Sequence, residues 1–334
     1  MWCNAAARAL LTEGQDITQW VDSDMYSLWS RKGTLQTTLY LDSTLYDTSV
    51  RTTPEGDLFV ASKSDVSSES TAAALLCASA YLRRPLQTIT GAARDLFDRA
   101  DEMDAVDHTC ALLNQSIYQL LRLCGQMTDG GQLLLHRRSA HRIPTDMRAF
   151  FDFFVKEVAP LTEGCGVNIR LKSSGIAPLF ADIDADLITR ALYNLIANAL
   201  SYTPRGGEIE LFFEKRGKLL FVTLTDNGEG ISKDVAANLF QRFGPRTAGD
   251  SRWGLGLGLP MVREIARLHG GSLSLSDNPE GSGTCASFTI SLEPTVLKLR
   301  SRTLQYSYCN DYHAGLVELS DVLPADMYDP NEVL

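Results

Sequence analysis

Four short groups of residues between Asn194 and Gly271 carry side chains and bare backbone suited to holding one small ligand. In the first, Asn194 and Asn198 stand four residues apart in the apolar-patterned run 192–204, which also contains Tyr202. That spacing puts two amides on one face of a helix. Asn198 suits a Mg²⁺ ion, which keeps most of its ligands as water and phosphate and needs only one or two protein oxygens. Ordinary helix packing with satisfied amides uses the same pair. The second group, Asp226-Asn227-Gly228-Glu229-Gly230-Ile231, follows the alternating strand candidate 219–225. A carboxylate at a strand end can accept from an exocyclic amine of a base, and Gly228 and Gly230 let the backbone come close to it. Alone, the same residues read as a turn.

The third group, 239–243, offers Phe240 and Phe243 as anchors of a moving segment and Arg242 as a contact for a terminal phosphate. The fourth, Gly254-Leu255-Gly256-Leu257-Gly258-Leu259, leads into a helix candidate from Pro260 to Leu268 that ends at Gly270-Gly271. Amides of a glycine-rich entry, together with the positive end of a helix, make a phosphate cradle. The glycine spacing is not that of the dinucleotide fingerprint, and no strand directly precedes it. All four groups in this order predict a nucleotide site.

In these residues the chain resembles the catalytic ATP-binding domain of sensor histidine kinases, within the GHKL group shared with gyrase, Hsp90 and MutL. The N box corresponds to Asn194 to Asn198, the G1 box to Asp226 to Gly230, the F box to Phe240 to Phe243 and the G2 box to Gly254 to Gly258. The resemblance covers about residues 145 to 293, and it implies ATP and Mg²⁺ as cofactors, with Asn198 toward the metal. Nucleotide contacts are then expected from Asn194, Asn198, Tyr202, Asp226, Gly228, Gly230, Ile231, Phe240, Arg242, Phe243, Gly254, Gly256, Leu257 and Gly258. ATP-hydrolysing members of the group typically carry Glu where this chain has Asn194. An amide cannot take a proton from water, so Asn194 favours the kinase branch. The family often has a phosphate-contacting Lys just before the position of Tyr202. Here the residue is Ser201, leaving Arg242 and Arg205 to supply charge.

Other parts of the chain must position that pocket. At 334 residues and 44% hydrophobic content, the chain can bury the cores of two or three domains. Its formal charge of −10 argues against nucleic-acid or anionic-membrane binding. No apolar run reaches the ~20 residues of a membrane span, and residues 1–11 lack the plan of a signal peptide. Seven cysteines without a Cys-x-x-Cys pair suit a reducing compartment. Together these features predict a soluble cytoplasmic protein of α+β multidomain class.

Residues 1–65, with alternating stretches at Leu35 to Leu41 and Asp57 to Ala61, read as a small α/β input module of degenerate PAS type or as a packing domain. After a serine-rich hinge at 64–71, residues 70–133 read as two bundle helices. One carries the seam Leu75, Ser79, Leu82, Leu86, Ile89, Ala93, Leu96 and Ala100; the other carries Val106, Cys110, Leu113, Ile117, Leu120, Cys124 and Met127. Such a hairpin is expected to pair with a second copy as a four-helix homodimer. Residues 129–145 read as the linker into an α/β sandwich ATP-binding domain at 145–293. Its predicted elements are helices at 147–158, 185–202 and 260–268, strands at 167–171, 208–213, 219–225 and 284–292, and a lid at about 241–253. The acidic extension 294–334 holds an apolar run, 316–323, that could form an edge strand, dock on another domain or stay loose.

The hairpin also resembles the family's dimerisation and phosphoacceptor hairpin, through Leu82, Arg83, Pro85 and Leu86. Where the family has the acceptor His followed by an acid, this chain has Ala80 and Tyr81. A methyl group cannot accept a phosphoryl group, so no catalytic residue is assigned. Three readings follow from the resemblance. One is a two-component signalling kinase that transfers phosphate to a protein side chain and works with a response regulator or a partner kinase. The second is an inactive ATP-binding regulator or heterodimer partner. The third, a protein-serine kinase acting in trans, is disfavoured by the hairpin.

Overall fold

The computed structural model describes residues 34–41, 44–53, 56–63, 82, 85–92, 103–134, 138–173, 179–230, 256–292 and 313–328. The elements are β1 (Thr34–Leu41), β2 (Thr44–Thr53), β3 (Gly56–Lys63), α1 (Met103–Leu134), β4 (Ile143–Asp146), α2 (Met147–Gly164), β5 (Asn168–Ser173), β6 (Phe180–Ile183), α3 (Ala185–Tyr202), β7 (Glu208–Arg216), β8 (Leu219–Asp226), α4 (Gly258–Leu268), β9 (Leu273–Asp277), β10 (Thr284–Ser291) and α5 (Ala314–Glu318). A single 3-10 turn, Ala325–Met327, follows. One sheet runs in the order β3-β2-β1-β9-β10-β8-β7-β5, and β4 pairs with β6 separately. All strand pairs are antiparallel except β5 with β7.

Period-two alternation decides which side of this sheet is dry. Leu220, Val222 and Leu224 of β8 lie opposite Ile290, Phe288 and Ala286 of β10 on one side and Lys215, Phe213 and Leu211 of β7 on the other. Apart from Lys215, these residues join one core cluster with the inner faces of α2, α3 and α4. Phe151 of α2 stacks on Phe213 at 4.7 Å between ring centroids, and Phe154 meets Tyr193 of α3 edge-on at 5.1 Å. On the opposite side of the sheet, Thr223 and Ser287 share a hydrogen bond of 3.0 Å. The stretches read as strands near the N-terminus are strands, and a third strand lies between them. At Gln36, opposite Leu275, β1 joins β9, so this meander continues the sheet formed by β9, β10, β8, β7 and β5.

The helix ends are fixed by side chains rather than by chain direction alone. Asp184 caps α3, its Oδ1 accepting from the Leu187 amide at 3.1 Å and its Oδ2 from the His141 amide at 2.8 Å. The Asp184 amide in turn donates to Nε2 of His269, at 3.0 Å. Nδ1 of His269 lies 2.7 Å from the Ile265 carbonyl, so the ring is a neutral tautomer with its proton on Nδ1. Fully buried, it ties the start of α3 to the end of α4. Burial, with Arg142 also nearby, holds its pKa below the ordinary histidine value, against the opposing effects of the Ile265 carbonyl and Asp184.

Helix α1 runs farther than the glycines suggest. The expected linker began at residue 129, yet Gly130 and Gly131 are helical and α1 ends at Leu134. Tertiary contacts outweigh a cost of about 1 kcal/mol per helical glycine. Leu133 is buried, and Asp129 accepts from Arg138 at 2.7 Å and from Arg190 of α3. On the expected bundle seam of α1, Val106, Cys110, Leu113, Ile117 and Leu120 are half-buried, and Cys124 and Met127 are exposed. Of the first hairpin helix, residues 85–92 are described and helical, with Leu86 exposed. Ser79, Ala80 and Tyr81 lie outside the described residues.

The neutral, buried His269 has a testable sign. In the unfolded chain an ordinary histidine takes up a proton as the pH falls through about 6.5, while the folded ring resists until its lower pKa is reached. Its contribution to stability is therefore whole above about pH 6.5 and is lost as the pH falls toward the folded value. Denaturant midpoints measured at neutral and mildly acidic pH should fall more steeply in the wild type than in His269→Ala. At neutral pH that variant should already be weaker by about 2 kcal/mol.

Candidate functional site

Asp226 is the next core-facing residue of β8 after Leu220, Val222 and Leu224, so the sheet aims its carboxylate into the helix layer at the point where the strand stops. The group is 5% exposed. Its Oδ1 accepts from the amides of Gly228 at 3.0 Å and Thr284 at 3.1 Å. Both side-chain hydrogen bonds among the described residues fall on this one oxygen, and Oδ2 takes none of them. Burial pushes the carboxyl above the ordinary carboxylate range, and the two amides act against that rise. Asn278, which carries no signal in the sequence pattern, fixes the same strand end by donating from Nδ2 to the Asp226 carbonyl at 3.0 Å.

The chain after Asp226 passes between the end of α3 and the turn that enters β10. Gly228 lies so close under Tyr202 that a Cβ would overlap the Tyr202 carbonyl. The Glu229 amide donates to that carbonyl at 3.3 Å, and Asn227 Oδ1 accepts from the Glu208 amide at 2.9 Å. On the other flank Gly283 has a φ of 111°, and a Cβ there would overlap the Asp226 carbonyl. Gly230 sits beside Gly283. Two bare glycines, one on each side, are thus what lets this loop lie flat next to Asp226.

The paired amides on α3 divide the work. Asn194 is buried, donating from Nδ2 to the Arg190 carbonyl at 2.8 Å, and its Oδ1 faces Gly258, where a Cβ would come within 3.1 Å. It joins α3 to the first turn of α4. Asn198, one turn later, is the exposed position of α3. Its amide, which makes no hydrogen bond among the described residues, is of the kind that suits an ion such as Mg²⁺ taking its other ligands from water and phosphate. Among the described residues no cluster of three or more His, Cys, Asp or Glu could hold a metal without such help.

Helix α4 starts at Gly258 with Leu257 as its first cap and no side-chain hydrogen bond at that end. Its leading amides are therefore offered to an anion. Leu257 is buried and anchors the entry; Gly256, with a φ of 68°, precedes it. Tyr202 is half-buried at the end of α3. Ser201 bonds back to the Ala197 carbonyl at 2.8 Å, and the Arg205 stem lies against Gly166. The structure thus brings Gly228 and Asp226 against Tyr202 at the end of α3, with Gly230 beside them at Gly283, and brings Gly258 against Asn194 in the middle of α3; Asn198 lies between these positions on α3, and Gly256 and Leu257 lead into Gly258. Ile231, Phe240, Arg242, Phe243, Gly254 and the expected lid lie outside the described residues.

The family model of histidine kinase-, DNA gyrase B- and HSP90-like ATPases matches residues 183–294. The chain is 29% identical over 215 residues to the sensor-like histidine kinase SenX3 of Mycolicibacterium smegmatis, an alignment covering 63% of this chain and 54% of that protein. It is 41% identical over 99 residues to the sensor protein kinase PmrB of Pseudomonas aeruginosa, covering 29% and 21% of the two chains. The chain thus spans about half the length of the first relative and about a fifth of the second. Among solved structures, the Acinetobacter baumannii histidine kinase AdeS matches with 21% identity and a TM-score of 0.47 over 63% of this chain and 96% of that one.

Gly283 and Gly281 offer a paired test of the loop. Gly283→Ala should strain the backbone by about 1–3 kcal/mol and move Asp226, lowering both the thermal midpoint and the affinity for ATP. Gly281, with open space around its Cβ position, should tolerate Ala with neither effect. Thermal denaturation with and without ATP reads both variants.

Proposed function

We propose that this chain, which belongs to the sensor histidine kinase family through its GHKL-type ATPase domain, binds ATP with Mg²⁺ and passes the γ-phosphoryl group to a protein side chain in a two-component type system. The observation that carries the proposal is the buried carboxylate of Asp226, held at a strand end by two amides that both donate to one of its oxygens. Asp226 accepts from the exocyclic amine of adenine, and Gly228 and Gly230 admit the ring. Asn198 lends one oxygen to Mg²⁺, which would neutralise phosphate charge when bound. Gly256, Gly258 and the open start of α4 hold the phosphates. Ile231, Phe240, Arg242, Phe243 and Gly254 complete the site in this reading.

Asn194 supports transfer over hydrolysis. Its amide donates to the backbone of its own helix and carries no carboxylate with which to deprotonate water. The half-exposed seam on α1 supports a homodimer through the hairpin, with a response regulator or partner kinase as the other protein. Among the described residues no helix is long and apolar enough to cross a membrane.

One observation favours a second reading. Ala80 stands where the family has its phosphoacceptor His, so a dimer that binds ATP as a conformational ligand and transfers nothing is also consistent with the sequence.

Incubation with γ-labelled ATP separates the two. Acid-labile label on the chain or on an added regulator supports transfer, whereas binding without label supports the regulator. Acid-stable label on a partner would instead mark a serine kinase. In either reading Asp226→Asn should weaken ATP binding by about ten- to a hundredfold, the worth of one hydrogen bond to a charged group. Unchanged affinity would mean that the adenine lies elsewhere.

A further inference from the structure

The segment 313–328 departs from the ATP domain's sheet and helices, yet it is built into the molecule. It contributes α5 and the 3-10 turn, with Val317, Leu319, Leu323 and Tyr328 buried. The segment touches helices of both parts of the chain. Toward α2 and α3, Gly315 lies against Leu161 and the Tyr193 hydroxyl so tightly that a Cβ would overlap Leu161. Toward α1, the side chains of one face reach its backbone and charges. Gln115 donates from Nε2 to the Leu323 carbonyl at 2.7 Å and Gln119 to the Ser320 carbonyl at 3.1 Å. Arg122 pairs with Asp321, and the rings of Tyr118 and Tyr328 meet at 5.2 Å. The buried Glu318 lies among Arg122 of α1, Arg190 of α3 and Asp321.

Positions 115, 118, 119 and 122 form one stripe of α1, distinct from the half-exposed bundle seam. They also lie well away from the linker. Near that linker the ATP domain is held to α1 in any case, by Asp129 with Arg138 and Arg190. The second attachment sits roughly 15 Å farther along the helix, at 1.5 Å per residue. One attachment point leaves a tethered domain free to pivot, whereas two separated points fix its direction.

We propose that residues 313–328 are an intramolecular latch that fixes the ATP domain against the second hairpin helix and must release before the domain can swing along it. The latch is a conformational device, and only its consequence, how far the nucleotide pocket can travel toward a phosphate acceptor, rests on the functional reading above. It meets α1 through Gln115, Gln119, Arg122 and the Tyr118–Tyr328 ring pair, and it meets α2 and α3 through α5 at Gly315. Release therefore means parting from α1 while α5 stays on α2 and α3, or the loss of both contacts together.

Hydrogen exchange of the full chain, followed by mass spectrometry of peptides covering 113–123 and 314–323, tests this directly. Asp321→Ala removes the ion pair from the latch side, and Gly315→Leu drives a side chain into Leu161. Each should raise exchange in 113–123 by about tenfold, the equivalent of one hydrogen bond to a charged group. Neither residue belongs to the nucleotide site, so calorimetric ATP affinity should stay within about twofold, below the worth of a single neutral hydrogen bond. The milder pair Gln115→Ala with Gln119→Ala should raise exchange in the same peptides by a smaller amount.

Unchanged exchange in 113–123 across all three variants overturns the latch. So does global loss of protection in the first two variants with no change in the third, because the segment would then be part of the ATP domain's core. A wild-type chain that takes up no ATP but shows the expected release would overturn the functional reading and leave the latch standing.

Discussion

The structure depends on a carboxylate that cannot be fully solvated. Strand register sends Asp226 to the same side as Leu220, Val222 and Leu224, into the layer where the helices exclude water. Burying such a group costs free energy unless the backbone supplies donors. The amides of Gly228 and Thr284 supply them to one oxygen, and both come from chain that must pass within contact distance. That demand accounts for the glycines on either flank, while Asn278 holds the same strand end through the Asp226 carbonyl.

The helix layer is tuned to the same end. Asp184 and His269 clip the start of α3 to the end of α4, while Asn194 and Gly258 bring the middle of α3 against the start of α4. Helix α4 is thus joined to α3 at both of its own ends, and its first turn starts without a side-chain cap. A neutral histidine serves this purpose because it donates from one nitrogen and accepts at the other, which a protonated ring cannot do. The same layer carries the latch: Tyr193 meets Phe154 on one side and Gly315 on the other.

Much of this was legible because the signals were local. The bounds of α3 follow from an unbroken apolar pattern after an aspartate cap, and β7, β8 and β10 follow from alternation over eight or nine residues. The strands β4 and β6 are four residues each, too short for a period to register, and they exist because they find each other across 34 to 40 positions of chain. In β9 the alternation of Leu273 and Leu275 with Ser274 and Ser276 was present but brief, and both faces are buried. On α1 the heptad pattern drew attention to the apolar seam. The stripe that actually packs within the chain is polar and aromatic, and its partners lie about two hundred residues away, where no local pattern can announce them. The apolar run in the C-terminal extension was visible, but its docked helical form depends on a surface contributed by three other elements.

The most direct test of the central claim concerns which base the Asp226 oxygen accepts from. Adenine presents an amine to it, while guanine presents a carbonyl oxygen at the same ring position, which a carboxylate repels. Calorimetric titration of the full chain with ATP and with GTP, each with magnesium at neutral pH, should give saturable ATP binding and GTP binding weaker by about a hundredfold or more. Equal affinity for the two nucleotides, or heat from neither, would contradict the account.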